Sequence, residues 1–552
     1  MSVKTRLRSL RTGYCHKKRE FLINYMCYML RKIRLTLAIV CFALITLLFL
    51  DYTGTVHAWF GWLAKIQFLP SLLALNVGVV IALLLLTLVL GRVYCSVICP
   101  LGVFQDVISW ISGKRKKKKM RFTYSPAVSW LRYGVFLLFV VLLVAGVHAA
   151  VALLAPYSAY GRIANNLFAP VYLWGNNVLA YFAERADSYA FYSVDVWVKS
   201  ISTLAVAVLT FVVVAVLAWR NGRTYCNTIC PVGTLLGFVS RFSLFRPVID
   251  TEKCKNCNLC AHKCKAACIN IKEHTIDYSR CVACMDCLDN CKHDALHYQY
   301  AYGKKEAGKP AADASRRGFF SAVGLVAATA ALHAQEKEKK ALRQYQKNPN
   351  KRTDTRADLP ADKSKVEQKV DGGLADIEPK LAPERLTPLT PPGSLGISHF
   401  AQHCTACQLC VSACTNGVLR PSMKLENFMQ PEMSYERGYC RPECVKCSEV
   451  CPTGAIKPIT RADKSAIQIG HAVTIHLNCI PVTDGVECGN CERHCPTKAI
   501  KMIPVDKNDP NSVKKPIVDE EKCIGCGACE NLCPARPFSA IYVEGHERHR
   551  EI

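Results

Sequence analysis

The sequence predicts a membrane α-helical bundle, four helices plus a fifth signal or anchor helix, joined to small cysteine-rich α+β domains. Three observations lead there. Hydrophobic residues make up 51% of the 552-residue chain while 20% are charged, which suits a membrane part joined to polar modules better than one core. Four apolar stretches, near 35–50, 69–90, 130–154 and 199–219, approach the length that crosses a roughly 30 Å hydrocarbon core as a helix. Finally, 25 of the 32 cysteines follow residue 250, most of them in C-x2-C-x2-C-x3-C runs. That spacing suits metal clusters rather than a disulfide scaffold.

The elements follow in chain order. Residues 1–34 are polar and basic ("KTRLRSLR", "CHKKRE", "RKIR") and are expected in the cytoplasm. Residues 35–249 form the four-helix membrane domain. The run "KRKKKKMR" at 114–121 marks its cytoplasmic loop, and 156–197, poorer in basic residues, is expected as an outer loop. The formal charge of +27 therefore reads as positive-inside topology, because the densest basic runs flank apolar segments; a nucleic-acid partner is not expected. Residues 250–300 form a cytoplasmic cysteine-rich module. Residues 301–334 hold a twin arginine, Arg316 and Arg317, ahead of a mild apolar run ("DASRRGFFSAVGLVAATAALHAQ", 313–335). Residues 335–400 are charged and Pro-rich and read as a linker. Residues 401–552 form a second, larger cysteine-rich module, expected in the periplasm.

An internal repeat sits at the two expected cytoplasmic returns. "GRVYCSVICPLGVFQDVIS" begins at Gly91 and "GRTYCNTICPVGTLLGFVS" at Gly222, an offset of 131. Each copy carries C-x3-C-P. On a helix, positions i and i+4 share a face, so Cys95 with Cys99 and Cys226 with Cys230 are candidate redox or metal thiols. Two such pairs could converge on one site that binds metal, forms disulfides or only packs. Cys15, Cys27 and Cys41 follow no ligand spacing. His148 lies inside the third apolar stretch, where an ionisable residue is a functional candidate and a satisfied bundle histidine is the plainer reading. The chain has no C-x-x-C-H, so covalent haem is not expected.

The later cysteines divide into sets. Cys254, Cys257 and Cys260 are followed by Cys264, and Cys281, Cys284 and Cys287 by Cys291. Three thiolates at this spacing wrap three corners of a cubane, and in bacterial two-cluster ferredoxins the fourth corner comes from the other run. Cys254, Cys257, Cys260 and Cys291 are thus assigned to one [4Fe–4S] cluster, and Cys281, Cys284, Cys287 and Cys264 to another. Cys268 is an extra candidate, so the spacing leaves that fourth ligand open. The C-terminal module has four sets: Cys404, Cys407, Cys410 and Cys414; Cys440, Cys444, Cys447 and Cys451; Cys479, Cys488, Cys491 and Cys495; Cys523, Cys526, Cys529 and Cys533. Sixteen ligands close on four cubanes, with their pairing undetermined, for about six clusters in all. The cysteine-rich modules are therefore expected to be ferredoxin-like.

The region up to about residue 300 resembles the NapH-type membrane subunit of quinol dehydrogenases that serve periplasmic nitrate reductases. It carries four helices, two C-x3-C-P motifs and a two-cluster module. The last part resembles the NapG-type periplasmic polyferredoxin through "SRRGFF", "LTPPGSLGISHFAQHCTACQLC", "YCRPECVKCSEVCPTGAI", "CIPVTDGVECGNCERHCP" and "CIGCGACENLCP". The chain looks like a fusion of the two. The resemblance implies a multi-pass protein of the inner (cytoplasmic) membrane that passes electrons from menaquinol or ubiquinol to a periplasmic cytochrome or reductase. It implies no catalytic side chain beyond the cluster ligands. It also implies that the twin-arginine translocase exports the folded, cluster-loaded last module, with the signal retained as an anchor because Leu332 stands where cleavage prefers a small residue. The competing reading is a maturation factor for a respiratory oxidase or for copper handling, since such proteins share the C-x3-C-P membrane part.

Overall fold

The computed structural model describes residues 29–51, 53–115, 122–291, 293–302, 380–506 and 508–552. The basic N-terminus to residue 28 (with Cys15 and Cys27), most of the 114–121 run, the twin-arginine segment and the linker to residue 379 lie outside the described residues. The chain divides into two compact units, and every described residue belongs to the one formed by Met1–Tyr302 with Pro379–Ile552.

Among the described residues, the helical part before residue 245 is built on eight main helices: α1 (Met29–Leu50), α2 (Val77–Leu90), α3 (Pro100–Arg115), α4 (Ser129–Ala145), α5 (Pro156–Ile163), α6 (Ala169–Arg185), α7 (Ile201–Asn221) and α8 (Pro231–Ser240). Among the described residues, α1 and α7 alone are long and apolar enough to cross a membrane unaided. The second apolar stretch is split. A short helix, Phe68–Leu73, ends before the positive-φ residue Leu75, and the Asn76 side chain then caps α2 by accepting from the Val79 N–H. The third stretch breaks at Gly146, whose left-handed backbone ends α4 by donating to the carbonyls of Leu142 and Leu143. His148 opens the helix that follows, His148–Leu154. The segment read as an outer loop is helical from Pro156 to Arg185, passing through one π turn at Ala164–Phe168.

Helix α1 runs between two different environments. Near its start, Arg31 pairs with Asp286 and Asp289, and Arg34 with Asp106 and Asp286. Near its end, Thr46 meets the Tyr160 hydroxyl and Phe49 packs on Tyr157 and Tyr160. Its first turn therefore touches the 245–302 module, and its last turn touches α5, on which the C-terminal module sits.

The 245–302 module pairs β1 (Phe245–Ile249) with β4 (Leu296–Tyr300) and β2 (Ile269–Asn270) with β3 (Thr275–Ile276), all antiparallel. The C-terminal module pairs β5 (Leu419–Pro421) with β6 (Pro431–Met433), β7 (Ile467–Thr474) with β10 (Ile541–Glu551), and β8 (Ile500–Pro504) with β9 (Lys514–Val518). Between the hairpins lie packed pairs of one-turn helices: Leu259–Lys263 with Asp286–Asp289, Leu409–Ala413 with Lys446–Val450, and Asn490–Arg493 with Ala528–Leu532. Residues 380–400 pack onto this module. Lys380 Nζ donates to the Asn531 and Cys533 carbonyls, Arg385 Nε to the Val543 carbonyl, and the Met433 N–H to Leu389.

Candidate metal centres

Four of the six cysteine runs are shaped by left-handed residues on both sides of their middle cysteine. Asn256 and Asn258 flank Cys257, Ala283 and Met285 flank Cys284, and Ala406 and Gln408 flank Cys407, all with positive φ. A side chain in that region costs about 1–2 kcal/mol. Spending it at matched positions turns successive sulfurs to one side of the loop. Gly525 and Gly527 take the same places around Cys526 without that cost. A second left-handed residue stands three positions after the last cysteine of five sets: Ala267, Asp294, Gly417, Gly454 and Lys498.

The structure exchanges the last cysteine between neighbouring sets. Cys254, Cys257, Cys260 and Cys291 line one cavity, and Cys281, Cys284, Cys287, Cys264 and Cys268 line another. Cys404, Cys407 and Cys410 gather with Cys451, while Cys414 joins Cys440, Cys444 and Cys447. Cys533 joins Cys479, Cys488 and Cys491, and Cys495 joins Cys523, Cys526 and Cys529. Cys264 and Cys268 lie 3.5 Å apart, sulfur to sulfur. Cys264 holds the place that Cys291, Cys414, Cys451 and Cys495 hold in their sets, three residues ahead of a left-handed one.

These donor sets fit cubanes. Among the described residues no group of three or more His, Cys, Asp or Glu is placed to hold a single ion. Zinc would draw its thiolates to about 2.3 Å from one point, whereas a cubane spreads them over four irons around a cavity. Burial pushes the Cys287, Cys410 and Cys529 thiols up, so these sulfurs ionise only against a cation, as metal binding supplies. Backbone N–H groups point at the sulfurs. Ala406 donates to Cys404 at 3.4 Å, Ala295 to Cys291, Ala499 to Cys495 and Ala540 to Cys533, each at 3.3 Å. Such bonds favour the thiolate and tune a bound cluster.

The repeat folds differently from a single helix carrying both thiols. Cys95 lies in the helix Val93–Val97, which ends before Cys99, and Cys226 lies in Thr224–Thr228, which ends before Cys230. Pro100 and Pro231 then open α3 and α8, as proline suits a first helical position. All four thiols are 3–4% exposed, and each lies in electrostatic range of the other three. The arginine of each copy braces the other copy. Arg223 donates to the Cys95 carbonyl at 2.7 Å, and Arg92 to the Cys226 carbonyl at 3.3 Å. Arg223 also grips Asp106 with two bonds of 2.8 and 2.7 Å. Cys41 is half-buried in α1. Sequence reasoning did not single out Arg92, Arg223, Gln105 or Asp106. The Gly-Arg pair shared by both copies was the available signal.

The comparisons agree with this chemistry. Residues 72–119 and 203–249 match the family described as "4Fe-4S binding domain", and residues 486–536 match "4Fe-4S dicluster domain". An uncharacterized protein of Methanocaldococcus jannaschii is 25% identical over 284 residues, 50% of this chain and 90% of its own length. The putative electron transport protein YccM of Escherichia coli is 24% identical over 228 residues, 40% of this chain and 55% of its own. The ferredoxin-type protein NapH of the same organism is 26% identical over 236 residues, 41% and 68% of the two chains. The chain is an iron–sulfur electron-transfer protein. No solved structure matches it.

Proposed function

We propose that the chain is a membrane-bound quinol dehydrogenase component that carries electrons from menaquinol or ubiquinol to a cytochrome or reductase beyond the far face of the membrane. The observation that carries this reading is the distribution of the cysteine sets. The Cys281 set touches the start of α1 through Asp286, and the set around Cys407 meets its last turn through α5. Under this reading Cys254, Cys257, Cys260 and Cys291 hold one cubane and Cys281, Cys284, Cys287 and Cys264 a second. The exchanged sets at 404–533 hold four more, about 24 irons at four per cubane. Bound there, the clusters accept and release one electron at a time. The protein's part is to bury the sulfurs, aim N–H groups at them and exclude water. The similarity to ferredoxin-type protein NapH supports the redox role. The helices α1 and α7 support a membrane position, with the 245–302 module inside, the C-terminal module outside and the twin-arginine segment as its route.

Anaerobic addition of reduced menaquinol to the purified chain tests the reading. The expected result is bleaching of the cluster absorbance, with Cys526→Ala still inserting in the membrane but failing to reduce an external acceptor. Absence of bleaching with any quinol, together with loss of a mature oxidase in the deletion strain, would transfer the assignment to maturation.

A further inference from the structure

We propose that electrons leave the chain at the set of Cys479, Cys488, Cys491 and Cys533, and that the exposed loop 482–487 beside it docks a soluble one-electron carrier with a lysine-rich rim. This rests on the electron-transfer reading above and adds to it a docking surface and the kind of partner that fits.

Contacts, not chain order, set the succession of the four C-terminal sets. The set around Cys407 is seated on the helices: Ala406 packs on Ala152, and the Asn165 side chain donates to that of Gln408 at 3.1 Å. The set around Cys444 touches the helical part through Lys446 Nζ, which donates to the Thr53 carbonyl at 3.2 Å. Both share a core with α1 and α5. The set around Cys526 comes next. The Cys440 N–H donates to the Cys526 carbonyl at 2.9 Å, and the Tyr435 hydroxyl to the Gly525 carbonyl at 2.6 Å. The set around Cys488 comes last. Its core joins Cys479 and Cys533 to Cys523 and Cys529 and consists of C-terminal-module residues alone. An electron handed outward from the helices through neighbouring centres therefore ends at this set, although it is third in the sequence.

The widened gap between Cys479 and Cys488 supplies the surface. Residues 482–487 are all exposed, and each stands within four residues of Cys479 or Cys488. Val486 is 57% exposed, and Leu477, two residues ahead of Cys479, is 83% exposed. Apolar side chains left in water beside a redox centre suit a surface that a partner covers.

Charge selects the partner. The loop carries Asp484 and Glu487 and no cation, and a cluster on four thiolates adds negative charge beneath it. Arg493 and Arg536 are held back against the set, donating to the Cys488 carbonyl at 3.2 Å and the Cys533 carbonyl at 2.7 Å. The β8–β9 hairpin turns its own cations elsewhere. Met502 and Pro516 pair across it and line the cavity of the set. Strand alternation then puts Lys501, Ile503, Lys515 and Ile517 on the opposite face. The loop beside the set is thus acidic with apolar residues in it, and a cationic rim on the partner complements it.

The transfer is one electron. The cluster is oxidised by one, and the partner's metal, ferric haem iron in a cytochrome, is reduced by one. No bond forms or breaks and no proton moves.

The test uses the full chain, purified anaerobically, reduced with dithionite and freed of excess reductant. It is mixed by stopped flow with mitochondrial cytochrome c, a lysine-rimmed carrier. Asp484→Lys with Glu487→Lys should slow the second-order reduction about tenfold at low salt and remove its salt dependence, with cluster absorbance unchanged. Val486→Ser should slow it at high salt too, where charges are screened. Lys501→Glu with Lys515→Glu, on the other face of the hairpin, should leave the rate as it is. Cys488→Ala should leave the other centres reducible and stop cytochrome reduction. An unchanged rate in the loop variant, or a change confined to the hairpin variant, overturns the docking surface. Cytochrome reduction at the wild-type rate in Cys488→Ala overturns the exit. Dithionite replaces quinol in this experiment, so these outcomes judge the exit and its surface alone, whereas failure of quinol to bleach the clusters judges the proposed function.

Discussion

Gly102 and Gly233 occupy equivalent places in the two repeats for one steric reason. A methyl group on Gly102 would lie 2.3 Å from the Cys95 carbonyl, and one on Gly233 would lie 2.3 Å from the Cys226 carbonyl. These are backbone atoms that cannot swing aside. Gly233→Ala should therefore destabilise the repeat by about 1–3 kcal/mol, read as a lower melting temperature of the detergent-solubilised chain. Asp106 is the second residue on which this region depends. It meets Arg223 at 2.7 Å, Arg34 at 3.6 Å and Lys265 at 3.7 Å. These cations hold its carboxyl well below the usual carboxylate range despite the burial that opposes them. Asp106→Asn keeps the shape and leaves three cations facing one another. The expected loss is about 3 kcal/mol, with the 245–302 module released to limited proteolysis first. An unchanged proteolysis pattern would mean that the module is held by its backbone contacts, such as the Arg223 N–H to the Lys265 carbonyl at 2.9 Å.

Among the elements, the β7–β10 ribbon closes the C-terminal module and carries a pH-sensitive edge. His549 shares a 3.0 Å hydrogen bond with Thr390 of the 380–400 segment. Burial, with the neighbouring His546 charge second, pushes its imidazole down to about 4. The folded form keeps it neutral, so the unfolded chain binds the extra proton. Stability from this group is complete above the ordinary histidine value of about 6.5 and is lost as the pH falls toward 4. Hydrogen exchange of the β10 amides, corrected for intrinsic rate, should accelerate on going from pH 7 to pH 5, and His549→Asn should flatten that response. Equal protection at both pH values would refute it.

The elements also explain what the sequence could and could not reveal. The cysteine runs were legible because three ligands at x2 spacing are local. The exchange of Cys414 with Cys451, and of Cys495 with Cys533, was not, because either partner satisfies the same spacing. The breaks at Asn76 and Gly146 were hidden inside apolar runs, although a capping side chain and a glycine were both present. The stretch of α5, the π turn and α6 read as a loop in part because of the asparagines that follow α5. In the structure these face specific partners: Asn165 and Asn166 donate to Gln408, and Asn176 and Asn177 donate to the carbonyls of Tyr192 and Val194. The i, i+4 argument brought the C-x3-C-P thiols together in pairs. The convergence of both pairs depends on Arg92 and Arg223 reaching across the repeat, which no local pattern encodes.

For the whole molecule, the 245–302 module and the α5 contact that bears the C-terminal module meet α1 about 22 Å apart along its axis, and the proposed topology puts the two modules on opposite sides of a membrane. Reporter fusions at residues 116 and 300 should then report cytoplasm, and one after residue 400 the outer compartment. Replacing Arg316 and Arg317 by Lys should block export of the last module. A C-terminal reporter found inside would contradict the topology. The most direct test of the central claim is electron passage from one side to the other. Full-length chain would be reconstituted anaerobically in lipid vesicles loaded with menaquinol, and reduction of a membrane-impermeant cytochrome added on the C-terminal side would be followed by absorbance. The account predicts steady reduction that requires the chain and is abolished by Cys526→Ala. Cytochrome that stays oxidised, in vesicles whose C-terminal modules are outward and cluster-loaded, would contradict it.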